Sequence, residues 1–540
     1  MKHEDEQREL WWAALAAFSA VLFALAWTIR HGALILYGDA EAHLHIARRI
    51  LDAQRPRISQ LGTVWLPLPH LLMLPFVQVD SWWRSGLAGA IPSAAETVLA
   101  AVGLYKLARR WLSVPAAAFA LALYILNPNV LYIGTTAMTE PLFLAELIWS
   151  IVLLLEWRDA LEDDPRRERE LLWILTAVLV AAVYSRYDGW LLGFAVWLLM
   201  AAELWKRKSF FTARFATASL TLLAAPILWL IYNAVLWHDP LDFLRGQYSA
   251  AAIEARTSHG LIPPHPGWHN PWEALLFYGK DAQMLAGNGR LGVWLFWLAL
   301  AGALWFAARP GKKTGLRWAL LLWFPLPFYC YSIAYGSVPI FLPVWWPHNW
   351  YNTRYGLEVL PAIAFGAGIC AEALLMPAKR LRPSFKPALV VFLLAVAGAN
   401  AWRLASGEPL VLGEGRRNHE MRGEYEREIA SRLGMLHTLR PDAVVLMDTS
   451  SYPGIIPQAG MVYKQTINES DLDLYDAALV HPSAHAQVAI AFSGDAVEAA
   501  VRRDPAFKQA WSFRATWQPE ATIYVSDAFL NTSLGAGAMR

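Results

Sequence analysis

Long apolar segments constrain this chain more than any other feature of its sequence. A transmembrane helix needs about 20 predominantly apolar residues, and we find eleven segments of that kind among the 540 residues. The predicted spans are residues 10–29, 87–105, 113–127, 139–156, 171–184, 188–205, 216–236, 291–308, 318–335, 355–376 and 387–403. Charged residues make up only 17% of the chain, against about 25% in a soluble protein. The sequence therefore predicts a polytopic α-helical membrane protein with about 11 transmembrane helices.

Lysine and arginine are distributed unevenly between the loops, and cytoplasmic loops are the ones that carry an excess of them. One set of segments contains 21 of these residues in 63 positions, whereas the loops on the other side contain 12 in about 145. The rich set is 1–9, 106–112, 157–170, 204–215, 308–317 and 376–386. The N-terminus is therefore predicted to be cytoplasmic, and an odd number of spans places the C-terminus outside. Because the sequence has no organelle address, we expect a bacterial inner membrane.

The total charge excludes one class of partner. The chain has 46 Lys and Arg against 44 Asp and Glu, a formal net charge of +2. A protein that binds nucleic acid normally shows a strongly basic balance or a basic patch. We therefore expect no nucleic-acid partner.

Three segments on the predicted outer side are long enough to form structure of their own: residues 30–86, 237–290 and 404–540. The first outer loop, 30–86, contains the apolar stretch Val64–Val79, which three prolines interrupt. Because proline breaks a helix interior, this stretch predicts a juxtamembrane or re-entrant element. The predicted domains are a transmembrane domain over 1–403 and an extracytoplasmic domain over 404–540.

The segment 404–540 loses the hydrophobicity of the chain before it. Apolar runs that end in polar turns predict strands at Val444–Met447, Ala477–Val480 and Thr522–Val525. A helical pattern covers Asp495–Arg503 between the last two. Alternating strands and helices are typical of α/β folds. The predicted fold class is therefore a polytopic helical membrane protein with a C-terminal extracytoplasmic α/β domain.

Ionisable residues at the edges of the spans collect on the outer side. The first group is Asp39, Glu41 and His43, in a stretch with helical periodicity after the first span. On a helix, Asp39 and His43 share a face at i, i+4, whereas Glu41 points about 200° away. The alternative interpretation is a helix start, with Asp39 as the N-cap and Glu41 favourable to the helix dipole.

Two further groups lie at the outer starts of later spans. Glu140 follows Thr139 and precedes Pro141, so it is either a site carboxylate or part of a capped helix start. Arg186 and Asp188 begin the sixth span, where they either belong to a site or form an ion pair with each other. A charged group at the lipid boundary costs several kcal/mol unless it is paired or functional, so both interpretations stay open.

Arg354 is the only Lys or Arg in residues 336–354. It begins the tenth span and follows His348 in a tryptophan-rich stretch. An arginine that reaches the interface from a helix end is common, but the N-terminus of a helix also suits an anion. We favour an anion-binding role.

Carboxylates and one isolated arginine thus converge on the outer side, and this set suits the displacement of a lipid-linked phosphate. Phosphate leaves without a general acid, so one carboxylate base to activate the acceptor is sufficient. An arginine would stabilise the charge that develops on the phosphate.

The order of these elements resembles the GT-C superfamily of polyprenyl-phosphate-sugar-dependent glycosyltransferases. It is most similar to the branch of protein O-mannosyltransferases and lipid A aminoarabinose transferases. Four stretches within residues 30–376 resemble the family pattern in order, spacing and common side. They are Asp39-Ala-Glu-Ala-His with Ile46-Ala-Arg-Arg-Ile-Leu, Val64-Trp-Leu-Pro-Leu-Pro-His-Leu-Leu, Thr139-Glu-Pro-Leu-Phe and Asn352-Thr-Arg-Tyr-Gly-Leu-Glu-Val-Leu-Pro.

The resemblance implies roles for individual residues. Asp39 takes the place of the family's catalytic aspartate, and Arg354 lies in the segment near the lipid phosphate. The resemblance further makes Glu140 and His43 polar members of the catalytic site. Other site candidates are Glu41, Arg186, Asp188 and His348.

Two departures from the family pattern affect cofactors and substrate. The mannosyltransferases have adjacent Asp-Glu, whereas Asp39-Ala-Glu41 resembles the Asp-x-Asp-like motifs of metal-dependent relatives. A divalent cation, Mg²⁺ or Mn²⁺, bound by Asp39 and Glu41 therefore stays open. The Trp-Trp-Asp-Tyr-Gly motif of oligosaccharyltransferase catalytic subunits is absent from the sequence, which disfavours transfer of a whole glycan to asparagine.

The resulting prediction is an inverting glycosyltransferase that moves a single sugar from a polyprenyl-phosphate donor at the extracytoplasmic face. Its partners are the donor, the bilayer and a protein, lipid or glycan acceptor that the sequence does not identify. One alternative is a transporter or flippase for lipid-linked glycans, which predicts paired broken helices in two halves. Another is a ligase for such glycans, which needs more than one isolated arginine near the phosphates.

Overall fold

The structure is a computed structural model and describes residues 2–258, 260–308, 317–378 and 385–531. Parts of two predicted inner segments, 309–316 and 379–384, lie outside the described residues. The chain forms two compact units. The first unit is Met1–Gly32 with Ala90–Glu414, and the second unit is Ala33–Gly89 with Gly415–Arg540. The predicted division into domains at residue 403 remains a prediction.

The first unit is helical. Several of its helices begin where a capping side chain precedes a proline, which suits the first helical position; the carboxylate of Asp164, for example, accepts hydrogen bonds from the N–H groups of Arg166 and Arg167. Its α-helices are Lys2–Arg30, Leu87–Arg109, Val114–Ile125, Pro128–Ile133, Glu140–Asp163, Pro165–Ser185, Asp188–Lys206, Ala213–Trp237, Asp242–Arg245, Ala250–Thr257, Pro271–Ala286, Arg290–Ala308, Pro325–Tyr335, Leu360–Ala378 and Phe385–Ser406. The first three residues of the helix Leu87–Arg109 belong to the second unit. Ala319–Trp323 and Thr353–Val359 are 3₁₀ helices.

Seven helical segments of the described chain are long and apolar enough to cross a membrane. They are Glu4–Arg30, Leu87–Arg109, Asp188–Lys206, Ala213–Trp237, Arg290–Ala308, Thr353–Met376 and Pro387–Leu439, the last through its apolar part before Ser406. The predicted class of membrane protein with several apolar helices is therefore confirmed.

Four predicted spans do not meet both conditions, although each falls in helical structure. The span at 113–127 corresponds to the 12-residue helix Val114–Ile125, and the one at 318–335 to a 3₁₀ helix followed by an 11-residue helix. The spans at 139–156 and 171–184 lie in helices that also bear many charged residues. The number of 11 transmembrane helices remains a prediction.

Most of the predicted first outer loop, from Ala33 onwards, belongs to the second unit. It forms the α-helices Gly38–Asp52, Leu68–Val77 and Asp80–Ser85 and the 3₁₀ helix Ile58–Leu61. The apolar stretch with three prolines is thus a helix of only 10 residues. Such a length is well below the roughly 20 residues of a span.

The sheet of the second unit is mixed. Its strands are β1 (Val445–Met447), β2 (Thr466–Ile467), β3 (Val488–Phe492), β4 (Phe507–Phe513) and β5 (Ala521–Ser526), in the order β2-β1-β3-β5-β4. β1 is parallel to β2 and β3, and β5 is antiparallel to β3 and β4. The other α-helices of this unit are Leu410–Leu439, whose first five residues belong to the first unit, Ile455–Gln458, Asp473–Val480, Pro482–His485, Ala496–Val501 and Asp527–Leu530, with 3₁₀ helices at Tyr463–Gln465 and Glu469–Asp471.

One predicted strand is wrong. Residues 477–480 lie in the helix Asp473–Val480, whereas the predicted strands at Val444–Met447 and Thr522–Val525 fall on β1 and β5. Four apolar residues in a row do not separate a strand from a helix. Tyr475 and Ala478, three positions apart, are buried on one side of this helix, so the helical period applies.

Candidate active site

The helix Gly38–Asp52, here called the Asp39 helix, is buried over most of its surface. Glu41, His45 and Arg49 are buried, and so is His43, which lies at i+4 from Asp39. Asp39 is half-buried, and Glu41 points about 200° away from it. The N-cap is Tyr37, so the interpretation of Asp39 as an N-cap is wrong.

Glu41 is committed to an ion pair. Its carboxylate bonds to the guanidinium of Arg422, which also lies 3.0 Å from Oε2 of Glu426. Burial raises the pKa of Glu41, and the charge of Arg422 opposes that effect. The two acidic residues of the predicted Asp-x-Asp-like motif therefore differ in role, because one is an anchor inside the fold.

His43 belongs to a buried histidine pair. Nδ1 of His43 lies 2.9 Å from Nε2 of His70, and its ring packs against Trp65 with centroids 4.4 Å apart. His70 is completely buried, and burial lowers its pKa well below the usual range. The pair therefore involves at least one neutral imidazole, at i+4 from Asp39.

His45 makes the second unit sensitive to acid. Burial, followed by the charges of Arg49, Arg422 and Arg84, lowers its pKa from 6.5 to about 3. Between pH 6.5 and pH 3 only the unfolded chain takes up a proton at this histidine. The stability that neutral His45 contributes is therefore complete above pH 6.5 and is lost as the pH falls towards 3. We expect the free energy of unfolding of wild type to fall by about 2 kcal/mol more than that of His45→Gln between pH 7.5 and pH 5.

The measurement is the melting temperature of both proteins across that pH range. Glutamine retains an oxygen that can accept the hydrogen bond from Nε1 of Trp83, which is 3.0 Å from the ring of His45. The exposed His481 provides a control, since His481→Gln should leave the pH slope unchanged. Equal slopes for wild type and His45→Gln would contradict the prediction.

Glu140 and Arg354 meet in the first unit, although 214 residues separate them in sequence. Oε1 of Glu140 accepts a hydrogen bond from Nε of Arg354 at 3.1 Å and lies 3.4 Å from Nη1 of Arg186. Glu140 is 1% exposed and Arg354 is 6% exposed. Three of the predicted site residues are therefore neighbours in one buried network.

Arg186 connects this network to further acidic groups. Its Nε lies 3.1 Å from Oδ2 of Asp188, which confirms the ion pair that was left open, and its Nη2 lies 3.2 Å from Oε1 of Glu358. The hydroxyl of Tyr329 accepts from Nη2 of Arg186 and donates to Glu358, each at 2.7 Å. Removal of one member would leave buried charges without a partner, which is strongly destabilising.

The helix start at Thr353 already has an anion. Glu414 accepts hydrogen bonds from the N–H groups of Asn352 and Thr353 at 2.8 and 2.9 Å, and its Oε1 lies 3.3 Å from Nη1 of Arg354. The backbone groups predicted to suit a phosphate thus donate to a carboxylate of the same chain. The guanidinium of Arg354 is itself engaged by Glu140 and Glu414, so its role on a phosphate remains a prediction.

The network contains more negative than positive groups. Glu140, Asp188, Glu358 and Glu414 face two guanidinium groups, and Oε2 of Glu140 and Oε2 of Glu358 are buried with no hydrogen-bond partner among the described residues. Buried acceptors without a partner are rare. A proton or a polar ligand group would satisfy them.

Sequence reasoning missed Glu358, Glu414 and Tyr329. Glu358 had a signal, since it follows Arg354 at i+4 at the start of a predicted helix. Glu414 had none, because it lies in the polar segment after the last predicted span. His348 is exposed, and its Nδ1 lies 3.1 Å from the carbonyl oxygen of Pro343, so it is not a member of the buried network.

A metal role remains a prediction. Within the part of the chain that the structure describes, there is no group of three or more His, Cys, Asp or Glu side chains that could bind a metal ion. Glu41, one of the two predicted ligands, already pairs with Arg422.

The model of the dolichyl-phosphate-mannose-protein mannosyltransferase family matches residues 83–232. The resemblance to GT-C glycosyltransferases is confirmed by this match together with the relatives below.

One similar protein is the undecaprenyl phosphate-alpha-4-amino-4-deoxy-L-arabinose arabinosyl transferase 2 of Proteus mirabilis (strain HI4320). It is 22% identical over 363 residues, which are 64% of this chain and 59% of that protein. The match thus spans less than two thirds of the relative.

Two solved structures share the fold. ArnT from Cupriavidus metallidurans bound to undecaprenyl phosphate aligns with a TM-score of 0.55 at 12% identity, over 96% of this chain and 98% of that one. The Archaeoglobus fulgidus oligosaccharyltransferase in complex with Zn and sulfate aligns with a TM-score of 0.50 at 12% identity, over 89% and 68%. At these identities the likeness shows the fold alone.

Proposed function

We propose that the chain is an inverting membrane glycosyltransferase that transfers a single sugar from a polyprenyl-phosphate donor to an acceptor at the extracytoplasmic face. The matched arabinosyl transferase and the structure of ArnT with undecaprenyl phosphate support this donor class. The protein lies in a bacterial inner membrane, with about 11 spans, a cytoplasmic N-terminus and an outer C-terminal domain.

The observation that carries the proposal is the different state of two carboxylates in one helical turn. Glu41 is buried and paired with Arg422, whereas Asp39 is half-buried on another side of the helix. A base must reach the proton that it accepts, and only Asp39 has partial access to solvent. This difference supports Asp39 as the base.

In the proposed reaction, Asp39 accepts the proton of the acceptor hydroxyl as that oxygen attacks the anomeric carbon. The bond between this carbon and the phosphate oxygen breaks, so the polyprenyl phosphate leaves with the electron pair. Arg354 binds the phosphate and stabilises its charge. One displacement inverts the anomeric centre. Glu140 and Arg186 position Arg354 through the contacts of the buried network.

The test is release of free polyprenyl phosphate by the purified full chain in detergent. The donors are undecaprenyl phosphate linked to aminoarabinose, mannose or glucose, each with envelope lipids and glycans as acceptors. With one of these donors we expect polyprenyl phosphate to be released at least ten times faster than in a control without the protein. Binding of a lipid-linked glycan without release from any donor would contradict an enzyme and favour the transporter.

A further inference from the structure

Residues 415–531 bind the Asp39 helix at both of its ends. We infer that these residues of the second unit act as a clamp that positions Asp39, and that Asn418 and Arg422 are its central positioning residues. The inference rests on the proposed role of Asp39 as the base. It assigns a task in catalysis to the C-terminal part of the chain.

The first end of the helix is bound through its backbone. Oδ1 of Asn418 accepts a hydrogen bond from the N–H of Gly38 at 2.9 Å and another from Nε of Arg422 at 3.2 Å. The first N–H groups of a helix have no partner within it, and Tyr37 supplies no side-chain cap. Asn418 therefore satisfies a backbone group that the Asp39 helix leaves unpaired.

Gly38 permits this close approach. A Cβ atom at position 38 would lie 3.3 Å from Nε of Arg422 and 3.5 Å from Oδ1 of Asn418. The first distance is tight, so a side chain here would require the end of Arg422 to shift by a few tenths of an ångström.

The first turn is bound again at Glu41. Arg422 bonds to the Glu41 carboxylate, and Glu426 bonds to Arg422 at 3.0 Å. Gly454 packs directly against these carboxylates, because a Cβ atom there would lie 2.5 Å from Oε2 of Glu426 and 3.2 Å from Oε2 of Glu41. Asp39 lies between two bound positions, 38 and 41, so the clamp holds the backbone on both sides of it.

The other end is bound through Arg49. Its Nη1 lies 2.8 Å from Oε1 of Glu469 and 3.1 Å from Oγ1 of Thr449, and Glu469 also accepts from the N–H of Thr449 at 2.9 Å. Glu41 and Arg49 are both buried, so the clamp binds the helix at its first turn and again near its C-terminal end.

The decisive variant is Asn418→Ala, which removes the acceptor for the N–H of Gly38 and leaves the Arg422–Glu41 ion pair. We expect kcat to fall about tenfold, because small misplacements of a reacting group are costly, while KM for the donor changes less than twofold. Exchange of amide hydrogens over 38–45 should become faster. Asn418→Asp retains an acceptor oxygen and should restore kcat to within threefold of wild type.

Two further variants control for folding. Arg427 is exposed on the same long helix, so Arg427→Ala should change neither kcat nor exchange. Arg422→Ala leaves Glu41 without its partner; if its monodisperse fraction collapses, the Asn418 variants still decide the question.

Wild-type kcat in Asn418→Ala, or a lower kcat without faster exchange, would overturn the clamp. A rise in KM that matches the loss in kcat/KM would assign the effect to donor binding and also overturn it. If wild type releases no polyprenyl phosphate, the proposed function fails. Exchange over 38–45 then decides the clamp alone, and unchanged exchange in Asn418→Ala would overturn it.

Discussion

Asp39→Asn is expected to lower kcat for polyprenyl phosphate release by about 10³-fold, within the range of a general base. Asparagine has nearly the same shape as aspartate but cannot accept the proton of the acceptor hydroxyl. Because position 39 is half-buried and asparagine matches aspartate in size, the variant should fold with a melting temperature close to that of wild type. The KM for the donor should change little.

The matched control is Asp476→Asn, the same chemical change at an exposed position of the second unit. It should retain wild-type turnover. Glu41→Gln is informative beside it, since loss of the partner of Arg422 should lower the melting temperature, which Asp39→Asn should not. An Asp39→Asn enzyme that folds normally and turns over like wild type would remove Asp39 as the base.

Arg354→Ala is expected to lower kcat/KM for the donor by about 10² to 10³-fold, which is typical for loss of one group that stabilises developing charge. The variant also leaves Glu140 and Glu414 without the guanidinium between them. We therefore expect a lower melting temperature as well. The kinetic constants must be measured on the monodisperse fraction at a temperature where the variant is folded.

Arg354→Lys separates charge from geometry. Lysine keeps the positive charge but lacks the planar fork of arginine, so its kcat/KM should lie between those of Arg354→Ala and wild type. Arg290→Ala, at an exposed helix start, is the control for loss of a positive charge. Unchanged donor affinity and turnover in Arg354→Ala would exclude the phosphate role.

The sequence predicted the local geometry around Asp39 but not the distant residues that contact the Asp39 helix. The helical pattern around Asp39 predicted that Glu41 points away from Asp39 and His43, but Glu41 and His43 are both buried, so the helix is covered on more than one side. The pattern did not predict Arg422, which is 381 residues further along the chain. Nor did it predict His70 beside His43, because a histidine in an apolar stretch has no local feature that names its partner.

The sequence by itself determined the class of the protein and the helical character of its apolar segments. Long apolar segments must satisfy their backbone groups internally, and in lipid a helix achieves this without any distant residue. Helical periodicity likewise predicted the helix that bears Asp39. These properties depend on residues within a few positions of one another in sequence, so they can be predicted without the tertiary structure.

Only the tertiary structure decided which charges meet. Glu140, Arg186, Arg354 and Glu414 lie far apart in sequence and form one buried network, and Asn418 and Arg422 reach the start of the Asp39 helix. A buried arginine needs a carboxylate partner, but the sequence contains 44 acidic residues and does not indicate which of them is the partner. The partner is selected by packing, because burial makes an unpaired charge costly wherever the fold places it.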